Sequence, residues 1–309
     1  MRSYLRIMAA AAALTVFVTS LVSWMVDPYF IRRQAAGLVT RPINDRASKI
    51  AFLARNCRQF DAYIVGNSRS QVLTGSELAG SGGNRYYNLA TPGEDIGESL
   101  GRLEFLFNSG CPISSLLIGE SVDVFGHAHP DVPWQRDHFL VTGENPMLFY
   151  ARFFLGPQHA ISYFRSKIYP SAPPMLYYPD GHVDYLWDMP SHPNIYTPDC
   201  RPQLSLHDQE DRYSRLAAYR KLAALAAAHH AKVVVWLTPL SKARSSVLDD
   251  PDVIRYIAEL RQIPGLSVFE ADRTSPLLSD FRQWHDCSHF HRAVFDQLVA
   301  PGVTQLLRQ

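Results

Sequence analysis

Asp61-Ala62-Tyr63-Ile64-Val65-Gly66-Asn67-Ser68-Arg69-Ser70 is the stretch that decides the fold. Its first six residues are a short apolar run closing on glycine, the pattern of a strand buried on both faces that ends in a functional turn. Gly-Asn-Ser then leads toward a helix expected over Gln71 to Leu78. A serine so placed sits at the C-terminal edge of a sheet, near a helix N-terminus whose amides and dipole stabilise negative charge. That position suits an acyl-transfer nucleophile. The same tripeptide also serves purely structural turns, in which glycine bends the chain and serine caps the helix.

Outward from this stretch the pattern repeats. Further strands are expected at Arg85–Ala90, Ser114–Gly119, Lys232–Leu237 and Leu266–Phe269. Helices are expected at about 45–55, 94–107, 211–230, 251–261 and 291–298. Strands alternating with helices imply an α/β fold: a three-layer, doubly wound, mostly parallel five-stranded sheet covered on both faces. The stretch 125–201, rich in proline, aromatics and histidine, breaks the rhythm and reads as an insertion beside the C-terminal edge of the sheet, where α/β proteins place ligands. Its aromatics suit either a sugar-binding wall or the core of a small subdomain.

Ile7 to Val26 runs for 20 residues without a charge, long enough to span a bilayer core as a helix. Residues 1–28 therefore read as an N-terminal membrane anchor and 29–309 as a body joined to it by a juxtamembrane linker. A cleavable signal peptide is the alternative, with Val18-Thr19-Ser20 as a small-residue site. Arg2 and Arg6 ahead of the run place the N-terminus in the cytoplasm and the body outside it. The remaining composition, 47% hydrophobic and 19% charged with a net charge of +1, is that of a globular protein. It gives no electrostatic basis for nucleic acid as a partner.

Cys57, Cys111, Cys200 and Cys287 are an even set without metal-knuckle spacing. Cys57 and Cys111 each precede a strand, and those two strands are neighbours in a doubly wound sheet of order 2-1-3-4-5. A disulfide between them is expected, with Cys200–Cys287 as a second pair. It requires Cα atoms roughly 4.4 to 6.8 Å apart.

Near the other end stands Trp284-His285-Asp286-Cys287-Ser288-His289-Phe290. A carboxylate three residues before a histidine can bond the imidazole and fix its tautomer, leaving the other ring nitrogen to take a serine proton. Two other readings fit the same residues: Asp286 as a helix cap, or His285, Asp286, His289 and His291 as metal ligands. Gly126-His127-Ala128-His129 has a His-x-His spacing but lacks the rest of a metal-hydrolase constellation.

Taken together, Gly66-Asn67-Ser68 and Asp286-Cys287-Ser288-His289, at opposite ends of an α/β pattern, resemble the first and last blocks of the SGNH hydrolase superfamily, with Asn67 where that family has Asp. The resemblance implies a flavodoxin-like SGNH fold with Ser68 as nucleophile, His289 as general base and Asp286 as its orienting carboxylate. Gly93, in Tyr87-Asn88-Leu89-Ala90-Thr91-Pro92-Gly93, stands where the second block supplies an oxyanion-hole amide beside that of Ser68. The third block, Gly-x-Asn-Asp, is replaced by Gly119-Glu120-Ser121-Val122-Asp123, which lacks the asparagine donor. Asn67, Arg69 and Glu120 are candidate substrate contacts.

The anchor and the Gly-Asn-Ser-Arg form look similar to the DltD- and AlgJ/AlgX-like branch. That branch implies O-acyl transfer, most simply O-acetyl, to an exported polysaccharide or cell-wall polymer, with a multi-span membrane-bound O-acyltransferase as partner. It also implies the bacterial inner membrane, with the body in the periplasm, and neither cofactor nor metal. A carbohydrate esterase using the same triad, and a non-catalytic assembly subunit of an export complex, are the alternatives.

Overall fold

The computed structural model describes residues 2–41, 43–78, 83–123, 135–169, 174–186, 209–286 and 288–309. The expected five-stranded sheet is present. Its strands are β2 (Ala62–Gly66), β3 (Tyr86–Asn88), β4 (Ser115–Glu120), β7 (Lys232–Leu237) and β8 (Leu266–Glu270), in the order β3-β2-β4-β7-β8. In chain order of the sheet's own strands that is 2-1-3-4-5. Every neighbouring pair is parallel.

Because successive side chains in a strand point to opposite faces, each strand feeds two cores. Tyr63, Val65, Leu116, Ile118, Val233 and Val235 point to one face. There they meet α2 (Asp45–Asn56), α4 (Ile96–Asn108), α8 (Gln209–Ala228) and α9 (Pro251–Arg261). Ala62, Ile64, Leu117, Val234 and Trp236 point to the other, against the closing segment of the chain. The helices start where local chemistry says they should. Asp95 and Glu98 form a reciprocal capping box on α4, and Asp250 caps α9 with Pro251 in its first turn.

Three expectations needed correction. The helix expected over 71–78 is a single turn, α3 (Ser68–Gln71), followed by a 3-10 turn at Gly75–Leu78. Its dipole is correspondingly small. The closing helix is longer than expected: α10 (Arg292–Val294), a π-helical turn at Phe295–Val299 and α11 (Ala300–Arg308) run on as one segment. The juxtamembrane stretch is not a loose linker. Its β1 (Gly37–Val39) pairs antiparallel with β5 (Met175–Tyr177), which pairs with β6 (Val183–Tyr185). Buried Asp27 accepts the backbone N–H groups of Ile31 and Arg32 at 2.8 and 3.1 Å.

Within the inserted region lie β5, β6 and three helices, α5 (Phe139–Thr142), α6 (Pro146–Phe154) and α7 (Pro157–Ile168). Its aromatics divide between roles: Tyr177 packs a small core with Ala35, Val39, Ile43 and Val183, whereas Tyr185 lies 6.3 Å from the His289 ring, centroid to centroid. Ahead of all this, α1 (Arg2–Val26) is long and apolar enough to cross a membrane. His127, His129, Cys200 and Cys287 lie outside the described residues.

Cys57 and Cys111 are bonded, with Cα atoms 5.5 Å apart, at the sheet edge opposite the Ser68 turn. The loop they close spans 54 residues, long enough for a cross-link to restrict the unfolded chain strongly. Replacing both by serine is expected to lower unfolding free energy by roughly 2 to 4 kcal/mol, measured by denaturant titration, with a stability equal to the parent's counting against it.

Candidate active site

The nucleophile turn is built by close backbone approach. Gly66 has φ +129°, and a Cβ there would lie 2.7 Å from the carbonyl of Gly119 and 2.8 Å from Ser70 Oγ. Only glycine lets β2 turn this tightly against β4. Asn67 then caps α3, its Oδ1 accepting the amide of Arg69 at 3.0 Å while its Nδ2 donates to Ser121 Oγ at 2.7 Å. Ser68 follows, half-buried, at the strand's end.

A loop from the far end of the chain meets it. Trp284 and Phe290 form an isolated antiparallel bridge, and both side chains are buried in the core on the Trp236 face of the sheet. The loop they pin carries Asp286 and His289. Asp286 Oδ1 accepts the amides of Ser288 and His289 at 2.6 and 2.7 Å, and Oδ2 lies 2.7 Å from His289 Nδ1. Burial pushes the Asp286 carboxyl up, but the His289 ring and these two amides outweigh it and hold it down to about 2. The carboxylate is therefore an acceptor only, so Nδ1 carries the proton and, in the neutral ring, Nε2 presents its lone pair. Ser68 Oγ lies 2.8 Å from Nε2 and donates to it. The separation lies in the range of roughly 2.6 to 3.2 Å over which a hydroxyl can pass its proton to a base.

The three charged or amide groups expected to touch substrate are committed elsewhere. Asn67 is spent on the cap and on Ser121. Arg69, 3% exposed, donates from both terminal nitrogens to Asp123 at 2.6 and 2.7 Å and from Nε to the Ser288 carbonyl at 2.9 Å. Glu120, 2% exposed, points to the opposite face of β4. There it accepts from Tyr219 and Tyr256 hydroxyls at 2.8 and 3.1 Å and pairs with Arg215 at 3.2 Å. Its carboxylate is thus held by three buried donors from α8 and α9. Ser121, standing where the third block has asparagine, is tied between Asn67 and Thr238 Oγ1, the latter at 3.0 Å.

Gly93 lies in the turn that opens where β2 ends. The parallel ladder continues past β3, with Leu89 N donating to Ile64 O at 2.7 Å and Thr91 N to Gly66 O at 2.9 Å. Gly93 itself is exposed, with φ +70°.

Several site residues carried no signal in the sequence. Arg244 pairs with Asp123 at 3.0 Å and contacts Ser288 Oγ, so two arginines and one carboxylate clamp the histidine loop. Tyr185 stands 6.3 Å from the His289 ring, centroid to centroid, with its hydroxyl donating to Gln71 Oε1 at 2.6 Å. Gln71 donates in turn to Asp45 at 2.8 Å. Among the described residues, no group of three or more histidine, cysteine or acidic side chains converges as metal ligands would. His285 and His291 lie ring against ring, 3.6 Å apart.

Beneath the Gly93 turn, buried Lys49 donates to the Ala90 carbonyl at 2.6 Å. Desolvation lowers its ammonium to about 8, against the opposing pull of Asp45 and Glu94. A lysine whose folded pKa lies below its unfolded value costs stability while both states are protonated, and that cost fades as pH rises from about 8 to the unfolded value near 10.5. The wild-type protein is therefore expected to gain stability relative to Lys49→Met between pH 7.5 and 10. Denaturant titrations at both pH values measure this, and a constant difference would refute it.

No family model matches the chain, and no curated protein matches it. Among solved structures the chain is similar to an acetyl xylan esterase from the rumen bacterium Butyrivibrio proteoclasticus, at 11% identity and a TM-score of 0.36, over 80% of this chain. This chain spans 62% of that esterase's length. So loose a superposition fixes neither reaction nor substrate, which must be argued from the site itself.

Proposed function

We propose that the protein is a serine acyl-transfer enzyme that moves an acyl group, most simply acetyl, onto a hydroxyl of an exported polysaccharide or cell-wall polymer. The Ser68–His289–Asp286 relay, with its 2.8 and 2.7 Å contacts, is the observation that carries this reading. Ser68 Oγ attacks the acyl carbonyl of the donor as His289 Nε2 takes its proton. The amides of Ser68 and Gly93 receive the developing oxyanion. Collapse expels the donor's alcohol or thiol, which leaves with the proton from His289, and an ester on Ser68 remains. A sugar hydroxyl then attacks that ester, gives its proton to His289 and departs acylated, and the proton returns to Ser68. Asp286 stays ionised throughout, holding the imidazolium in place. Tyr185 supplies an aromatic wall beside the histidine for a sugar or acyl group.

Hydrolysis is the second reading. The His289 and Asp286 side chains are 25 and 21% exposed, so water reaches the acyl-enzyme unless an acceptor displaces it. The test is incubation of the purified full-length protein with a chromogenic acetyl ester, with and without oligosaccharide acceptors. Acetylated oligosaccharide supports the transferase; acetate released at a rate indifferent to acceptor supports the esterase. Failure of a serine-reactive phosphonate to label Ser68 rejects both and leaves a non-catalytic assembly role within an export complex. A multi-span acyltransferase partner, a periplasmic body and an inner-membrane location belong with the transferase reading.

A further inference from the structure

Helices α6 and α7 are consecutive, joined at Leu155-Gly156, and both pack against α1; we call the pair the α6–α7 hairpin. Trp24 sits edge-on to Tyr150 and Phe154, with ring centroids 5.8 and 5.0 Å away. At the hairpin's own turn, Gly156 N donates to Ser20 Oγ at 3.4 Å. Ser20 lies six residues before Val26, the end of α1, so the turn reaches about 9 Å back along that helix at 1.5 Å per residue. Between α1 and the hairpin runs an open groove of about 440 Å³, walled by Phe17, Leu21 and Trp24 on one side and Met147, Ala151 and Leu155 on the other.

The hairpin's outer side is apolar as well. Ile161, Phe164 and Ile168 of α7 are 61, 51 and 70% exposed, and Met147 of α6 is 81% exposed. The three α7 residues are spaced by three and four, so they share one face of the helix. They are not leftovers of a loose core. On the inner side Phe149, Phe153 and Phe154 pack tightly with Ile31 and with Ala47 of α2. A continuous apolar surface of this kind on a soluble face marks a contact that the isolated chain lacks.

We propose that the α6–α7 hairpin is a membrane-inserted wedge, its apolar face lying among the lipid acyl chains of the leaflet from which the C-terminal end of α1 emerges. One wall of the groove is itself the membrane-crossing helix, so whatever surrounds that helix at this depth also fills the groove. The depth of about 9 Å fits the 5 to 10 Å that interfacial amphipathic helices reach. The flanking chemistry is that of a headgroup region. Arg32 lies 4.0 Å over the Trp24 ring, and Arg165, Lys167 and Tyr169 are exposed beside the stripe. Two-point attachment follows. Because the hairpin shares its core with α2, the body is held at a fixed height and tilt over the bilayer rather than swinging on a tether.

The test places the photo-crosslinker p-benzoylphenylalanine at Ile161, at Phe164 and, as a control, at Ile254, an apolar residue 52% exposed on α9. Full-length protein is irradiated in native membranes and in vesicles of phosphatidylethanolamine and phosphatidylglycerol, and the adducts are read by mass spectrometry. Phospholipid adducts are expected at 161 and 164 in both settings and not at 254. A second variant, Ile161→Glu with Phe164→Glu, carries the crosslinker at Leu148 instead. Its lipid adducts are expected to fall at least fivefold while the Cys57–Cys111 disulfide and attachment through α1 persist. Adducts to a protein at 161 or 164 would reassign the face to a protein partner and overturn the proposal, as would an absence of lipid adducts there.

Discussion

Ser68→Ala is expected to lower acyl transfer by about 10⁴- to 10⁶-fold, the scale on which a covalent route collapses when its nucleophile is removed, and to leave the fold intact. The two effects separate because, among the described residues, the hydroxyl's side-chain partner is His289, at 2.8 Å. Its contribution to stability is that of a single half-exposed hydrogen bond, about 1 kcal/mol, while the turn is held by Gly66 and the Asn67 cap. His289→Ala should cost nearly as much, and the double variant little more than either, since the two residues act as a unit. Polymer-bound acetate measured by NMR in cells expressing each variant at parental level, with a thermal melt of the purified protein, checks both halves. Unchanged acetylation with Ser68→Ala would remove the Ser68 mechanism and put the assembly role first.

The parts of this molecule that were legible in the sequence are those whose physics is local. Strands buried on both faces must be nearly continuous apolar runs, so Ala62–Gly66, Ser115–Glu120 and Lys232–Leu237 are visible as such, and their alternation with helices implies a parallel sheet. The Asp286–His289 spacing carries its own hydrogen-bond logic, which is why the relay is readable from one loop. What escaped notice depends on distant partners. Strands β1, β5 and β6 are three residues each, too short for any period, and β1 pairs with β5 across more than a hundred positions. Helices α6 and α7 begin at Pro146 and Pro157, prolines that read as breakers unless they are recognised as first-turn residues. Their apolar residues face both inward and outward, so no one-sided pattern announces them. In the sequence Arg69 and Glu120 are candidate substrate contacts, and only the fold reveals that each is enclosed by partners from other elements.

The Arg69–Asp123–Arg244 clamp leads to the second large effect. Asp123→Ala is expected to destabilise the protein by roughly 3 to 5 kcal/mol, because removing one partner of a buried ion pair leaves the other charge uncompensated. The Asp123 and Arg69 side chains are 1 and 3% exposed. Burial raises the carboxyl, but the two guanidiniums outweigh it and hold Asp123 below the usual carboxylate range. Its stabilisation is therefore present above the unfolded value near 3.8 and is lost as pH falls below it. The clamp also grips the histidine loop through the Ser288 carbonyl and hydroxyl, one residue before His289, so acyl transfer should fall through kcat with KM little changed. Replacing the pair together, Asp123→Leu with Arg69→Met, removes the more deeply buried of the two guanidiniums that Asp123 balances and leaves Arg244, 10% exposed, so it should recover part of the stability but not the activity, since the loop loses the Arg69 bond to the Ser288 carbonyl. Denaturant midpoints and steady-state kinetics on the three proteins decide the matter. If the double variant regains full activity with its stability, the clamp is scaffolding alone; if it regains stability without activity, Arg69 is a positioning residue acting through His289.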